Sequence, residues 1–154
     1  GDSATMAEFF VILSAITGLP LKQSIAVTGS MNQHGEIQPI GGVNEKVTGF
    51  YQFAKEHDFP EGCGVIIPAV NQVNLLLDDE IVEAVRDQKF HIYPVKQVEE
   101  GLALMTGVEV GALQPDARYP EGTVYAQALE RLEAFSKGAE KSKGDAKDDA
   151  KDAE

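Results

Sequence analysis

The 154 residues contain no tryptophan and a single cysteine, Cys63. A lone cysteine cannot close an internal disulfide, which suits a reducing compartment. The chain has no Cys-x-x-Cys, no His-Glu-x-x-His and no Asp-rich calcium loop, so no metal site is expected. It also lacks Gly-x-x-x-x-Gly-Lys-Ser/Thr, which excludes nucleotide binding by a P-loop within this chain. No stretch approaches the ~18 consecutive apolar residues of a membrane span. No basic segment followed by an apolar run opens the chain, so no signal peptide is expected. An initiator methionine is missing as well, from which residues upstream of Gly1 are expected.

Positive charge is scarce. Lys and Arg number 13 against 25 Asp and Glu, for a net charge of −12. Residues 136–154 hold five Lys and six acidic residues, a net of −1, so the rest of the chain carries −11. An acidic body repels phosphate backbones and anionic lipid, so neither nucleic acid nor a membrane surface is an expected partner. The apolar fraction of 43% is ordinary for a globular domain, and the length suits one domain with an appendage.

Apolar residues at three- and four-residue spacing (Met6, Phe9, Phe10, Leu13, Ile16) predict a helix over 4–17, capped by Asp2 or Ser3 and stopped by Gly18-Leu-Pro20. Strands are expected at 24–29 and 36–40, pairing as a hairpin across the turn 31–35. Gly41-Gly42 breaks the chain before a helix over 44–57. The run 64–67 reads as a buried strand, 71–77 and 79–88 as helical, 90–93 as a strand and 95–106 as a helix ended by Gly107. This mixed order gives an α/β or α+β class. Residues 108–120 read as irregular, with a last helix over 124–136. From Lys137 onward only Lys, Ala, Asp, Glu, Gly and Ser occur, and such a tail is expected to be disordered. The expected organisation is thus a domain over 1–107, an extension over 108–136 and a tail over 137–154.

Two residues at helix starts stand out. Ser3 precedes the first helix, where a serine ordinarily caps. The same position places a hydroxyl beside free backbone N–H groups and the positive end of the helix dipole, an arrangement suited to stabilising the oxyanion of acyl transfer. Lys46 lies in the first or second turn of the second helix, where the dipole disfavours an ammonium. If its tip is also buried, the neutral amine needed by a general base becomes available. Thr28 ends the first strand, where its hydroxyl can orient a lysine amine. Gly-Asp-Ser also evokes the chymotrypsin-like signature, but that pattern continues with glycine where this chain has Ala4-Thr5. The three histidines, His34, His57 and His91, all lie downstream of Ser3 and read as ordinary residues. A Ser-His-Asp arrangement nonetheless remains open, because geometry and not chain order defines a triad.

Taken together, Gly1-Asp-Ser-Ala-Thr, Ala26-Val-Thr-Gly-Ser and His34-Gly-Glu-Ile-Gln-Pro-Ile-Gly-Gly-Val-Asn-Glu-Lys46 resemble the proteolytic domain of the Lon family of ATP-dependent proteases. The 43-residue separation of Ser3 and Lys46 resembles the family's. The resemblance continues through Gly64-Val-Ile-Ile-Pro and His91-Ile-Tyr-Pro-Val to about Thr106. Asp2 before the serine, and Tyr119-Pro-Glu-Gly-Thr-Val, resemble the LonB-like bacterial branch.

The resemblance implies an α+β fold of the Lon protease type, in a fragment that starts at the catalytic serine and lacks the domain's N-terminal strands. An apolar face and a strand edge would then be open. It implies a serine endopeptidase acting on unfolded or damaged proteins through a Ser-Lys dyad, with Ser3 as nucleophile, Lys46 as general base and Thr28 holding the lysine. It further implies an upstream AAA+ module in the same polypeptide that uses ATP and Mg, with no cofactor in this chain. A hexameric ring and a cytoplasmic location complete the expectation. Two other readings compete: a non-catalytic interaction or assembly domain of the same fold, and a serine hydrolase that uses a histidine and tolerates loss of Lys46.

Overall fold

Every residue of Gly64–Pro68 is buried, as the continuous apolar run of this segment predicts for a strand covered on both faces. In the computed structural model this segment, β4, is the central strand of a three-stranded sheet. The structure describes residues 2–148. A 3₁₀ turn at Asp2–Ala4 leads into α1 (Thr5–Thr17), followed by β1 (Ile25–Val27), β2 (Ser30–Met31), β3 (Ile37–Gln38), α2 (Val43–Glu56) and β4. A second 3₁₀ segment at Ala69–Asn74 follows, then α3 (Asp79–Arg86), β5 (His91–Val95), α4 (Val98–Thr106) and α5 (Val124–Asp148).

The sheet has the order β1-β4-β5, and both pairings are parallel, with Ala26 opposite Val65 and Val65 opposite Ile92. Pro94 is accommodated because β5 is an edge strand, where a missing N–H breaks no ladder. Alternation along β4 divides the core. Ile66 joins Met6, Phe10, Leu13, Val95 and Leu102 beneath α1 and α4, while Val65 and Ile67 join Val43, Val47, Tyr51 and Ile81 beneath α2 and α3. The two helical layers therefore cover opposite faces of one sheet. Each of these fully buried aliphatic or aromatic side chains contributes about 1.5–3 kcal/mol.

The start of β4 admits no side chain. A Cβ on Gly64 would lie 2.1 Å from the His91 backbone carbonyl oxygen, and the ladder atoms on either side cannot retreat: Gly64 N–H donates to Ser24 O (3.2 Å) and His91 N–H to Cys63 O (2.9 Å). Gly64→Ala is expected to destabilise the domain by roughly 3 kcal/mol or more, at the upper end of overpacking costs. A thermal melt checks it, and an unshifted transition would contradict it.

Several expectations need correction. The predicted hairpin between 24–29 and 36–40 does not form: β1 pairs in parallel with β4, and the hairpin is the short β2–β3 pair, with Ser30 opposite Gln38. Ser3 does not cap α1. The helix starts after Ala4 with no side-chain cap, and Ser3 sits in the preceding 3₁₀ turn. The helical stretch expected over 71–77 is the 3₁₀ segment Ala69–Asn74, which ends before Leu75. The last helix continues past Ser136 to Asp148, where a tail without structure was expected. Its Lys, Ala and Glu residues are strong helix formers even with nothing to bury. Residues 149–154 of that expected tail lie outside the described residues. The helix is tied to the body by Tyr125, whose hydroxyl donates to Glu99 Oε1 (2.9 Å), and by Arg131, whose Nε donates to Ile16 O (3.3 Å). Burial, and after it the Glu99 carboxylate, push the Tyr125 phenol above its ordinary range.

Candidate active site

In a parallel sheet with preceding helices, each helix runs antiparallel to the strand that follows it. The amino ends of α1 and α2 consequently both lie at the carboxyl edge of the strands, one from each face. Open α/β sheets place their functional groups at this edge. Three of the sequence-derived residues are found there.

Ser3 and Thr28 are brought together through the backbone. Gly29, directly after Thr28, donates its N–H to Ser3 O (3.0 Å), and Met6 N–H donates back to Gly29 O (3.4 Å). The half-buried Ser3 turn is thus stitched to the end of β1. Thr28 is only 4% exposed, and its N–H donates to Ile66 O (3.1 Å), extending the ladder past the end of β1. Gly29 packs against the buried end of Met6, whose Cε would lie 2.5 Å from an added Cβ and would have to shift. Thr5 adds a further link, its Oγ1 accepting from Met31 N–H (3.0 Å).

Lys46 comes from the other face, in the first turn of α2. The helix is preceded by Gly42, whose φ of +67° is a left-handed conformation that glycine adopts without strain. Lys46 N–H closes the first helical bond onto Gly42 O (3.1 Å). The Lys46 residue is half-buried and sits at one end of a groove of about 930 Å³ that follows α2 alongside β1. Ala26, Phe50, Phe53 and Ala54 make the groove apolar, and His57 and Pro60 close its far end. Phe53 is 59% exposed in it. Because β1 stands at the sheet's edge, the groove borders a strand with one side unpaired among the described residues. No hydrogen bond joins the Lys46 amine to Ser3 or Thr28 among the described residues. Catalytic hydrogen bonds that form only with substrate are commonly open in its absence.

Two of the three histidines are placed elsewhere. His57 follows the last turn of α2, its Nδ1 2.8 Å from Phe53 O. His91 starts β5 and stacks on Tyr93 at 5.6 Å. Both therefore lie at the opposite edge of the sheet from Ser3. His34 is exposed in the β2–β3 turn, its N–H held by Asn32 Oδ1 (2.9 Å). Cys63 is buried, donating to Lys89 O (3.1 Å), and burial pushes its thiol up, away from a reactive thiolate. No group of three or more His, Cys, Asp and Glu among the described residues is arranged to hold a metal. None of the described helices is long and apolar enough to cross a membrane.

Sequence reasoning passed over Asn71 and Asn44. Asn71 is buried, 4% exposed, and Asn44 is half-buried. Each makes a two-sided bond to backbone about thirty residues away. Nothing local in the sequence signals such partners.

Residues 1–106 match the family model of the Lon protease (S16) C-terminal proteolytic domain. The chain is 45% identical over 105 residues to a Lon protease homolog of Escherichia coli K12, covering 68% of this chain and 18% of that protein. It is 39% identical over 132 residues to a Lon protease homolog of Haemophilus influenzae Rd, covering 86% of this chain and 21% of the relative. An archaeal Lon protease of Archaeoglobus fulgidus is 35% identical over 102 residues, covering 66% and 14% of the two chains. The chain thus spans about a fifth of these relatives or less.

Proposed function

The chain belongs to the family of Lon protease (S16) C-terminal proteolytic domains, and we propose that it performs peptide-bond hydrolysis with Ser3 as nucleophile and Lys46 as general base. The observation that carries this reading is that the amino ends of α1 and α2 both lie at the carboxyl edge of one parallel sheet, with the Ser3 turn bonded to the residue after Thr28 at the end of β1.

The chemistry follows from the placement. The Lys46 amine takes the proton from Ser3 Oγ as the oxygen attacks the substrate carbonyl carbon. The positive end of α1 favours the oxyanion that develops. The resulting ammonium returns its proton to the leaving amine, and an ester to Ser3 Oγ remains. Water, deprotonated by the same amine, then cleaves the ester and restores the hydroxyl. Thr28, fixed by the β1 end and the Ser3 turn, supports the lysine.

Unfolded or damaged proteins are the proposed substrates, and the proposed setting is a cytoplasmic, ring-shaped homo-oligomer, a hexamer, of the LonB-like bacterial branch. ATP and Mg would serve an AAA+ module elsewhere in the full-length polypeptide. This chain has no P-loop, and the steps above use its own residues alone. Incubating the full-length protein with ATP and a fluorogenic peptide tests the proposal. Peptide cleavage is expected. ATP hydrolysis without any cleavage of peptide or unfolded protein would instead favour the non-catalytic assembly domain.

A further inference from the structure

We propose that Asn71, seconded by Asn44, is a positioning residue for this reaction, holding the amino end of α2 where Lys46 can serve Ser3. The inference rests on the dyad reading above.

Asn71 treats Ile40 as a strand partner would. Its Oδ1 accepts from Ile40 N–H (3.0 Å) and its Nδ2 donates to Ile40 O (2.9 Å). Both ends of one buried amide are therefore used on one residue. Among the side chains only Asn and Gln present a donor and an acceptor in the plane of a peptide group, and Gln is longer by a methylene. Ile40 immediately precedes Gly41-Gly42, the hinge into α2. A Cβ on Gly41 would meet nothing within 4 Å, and Gly42 is left-handed. The glycine pair thus has no side chain to fix its path, and glycine leaves the backbone there conformationally free. Yet Gly42 O receives the Lys46 N–H, so the path of the pair sets the direction of the first turn.

Asn44 supplies the second anchor, on the helical side of the same hinge. Its Nδ2 donates to Asn74 O (3.0 Å), and its Oδ1 accepts from Leu76 N–H (2.7 Å). Both anchors reach the segment 69–76 that directly follows β4, the fully buried central strand. Two side-chain-to-backbone pairs thereby bracket the glycines and refer Lys46 to the buried centre of the sheet. Ser3 is referred to the same sheet through Gly29 and Thr28. Releasing either clasp lets the amine drift from the hydroxyl, while the far part of the groove, at Ala54, His57 and Pro60, keeps its place. A displacement of about 1 Å in a reacting group costs up to about 10²-fold in rate.

Peptide hydrolysis by full-length Asn71→Ala, Asn71→Asp and Asn44→Ala proteins tests the assignment, with Lys46→Ala and Val124→Ala alongside. Asn71→Ala is expected to lower kcat by about 10- to 100-fold with KM unchanged. Asn71→Asp loses the donor and sets a carboxylate against Ile40 O, so it is expected to fall at least as far. Asn44→Ala is expected to show a smaller loss in kcat at unchanged KM. It decides the matter if the Asn71 variants fail to fold, since alanine favours the helix at this half-buried position. Val124→Ala loosens the core far from α2 and is expected to lower Tm with kcat intact. Wild-type kcat in the folded asparagine variants, or losses that follow Tm on the same line as Val124→Ala, would overturn the positioning role. If Lys46→Ala is inactive in that event, the dyad stands and only the clasp is wrong. If Lys46→Ala is itself fully active, the dyad reading fails whatever the asparagines do.

Discussion

Full-length protein carrying Ser3→Ala is expected to lose peptide hydrolysis by a factor on the order of 10⁶, below detection in an ordinary assay, while still hydrolysing ATP. The loss is large because in the proposed reaction the hydroxyl oxygen bonds to substrate, and alanine leaves nothing to replace it. Folding should survive. Ser3 is half-buried and holds its position through its backbone carbonyl, which accepts from Gly29 N–H, and α1 takes no side-chain cap from it. Simultaneous assays of peptide and ATP hydrolysis check this expectation. Retained proteolysis would remove Ser3 from the reaction, and loss of both activities would point to damage beyond the site.

Lys46→Ala is expected to lower kcat by about 10²–10⁴-fold, the range of a lost general base, with the groove and the sheet intact. Lys46 makes no hydrogen bond through its side chain among the described residues, so alanine deprives no buried partner. Alanine in the first turn is also at least as good a helix former as lysine. The steady-state rate with a fluorogenic peptide is the check. Its result separates the dyad from a histidine-based hydrolase, for which Lys46 is dispensable. The placement of His57 and His91 at the far edge of the sheet already weighs against the latter.

Much of this architecture is legible in the amino-acid order, and the exceptions share one cause. The apolar spacing of Met6, Phe10 and Leu13 marks α1 because a helix repeats locally, and Val65–Ile67 marks a buried strand because no alternation is needed there. Strand pairing is not local. Ala26 lies opposite Val65, and a reading along the chain joins 24–29 to the nearest candidate strand instead of one beyond α2. The C-terminal helix shows a different difficulty. Lys-, Ala- and Glu-rich sequence has too little apolar surface to fold a core, yet the same residues propagate a helix already begun by the packing of Val124 and Ala128.

The site divides along the same line. Ser3, Lys46 and Thr28 carry chemistry in their residue types and stand near glycines, so the amino-acid order alone singles them out. Asn71 and Asn44 do not. Their significance lies in bonds spanning 31 residues for Asn71 to Ile40 and 30 for Asn44 to Asn74. Only the fold shows that the first is buried and that both converge on the hinge before Lys46.

The central claim is that Lys46 activates the Ser3 hydroxyl. The most direct measurement is the rate at which a fluorophosphonate modifies Ser3 in the full-length protein, read by peptide mass mapping, with and without Lys46→Ala. The account predicts modification at Ser3 in the unaltered protein and its near-complete loss in the variant. Equal modification in both, or modification only at other serines, would contradict it.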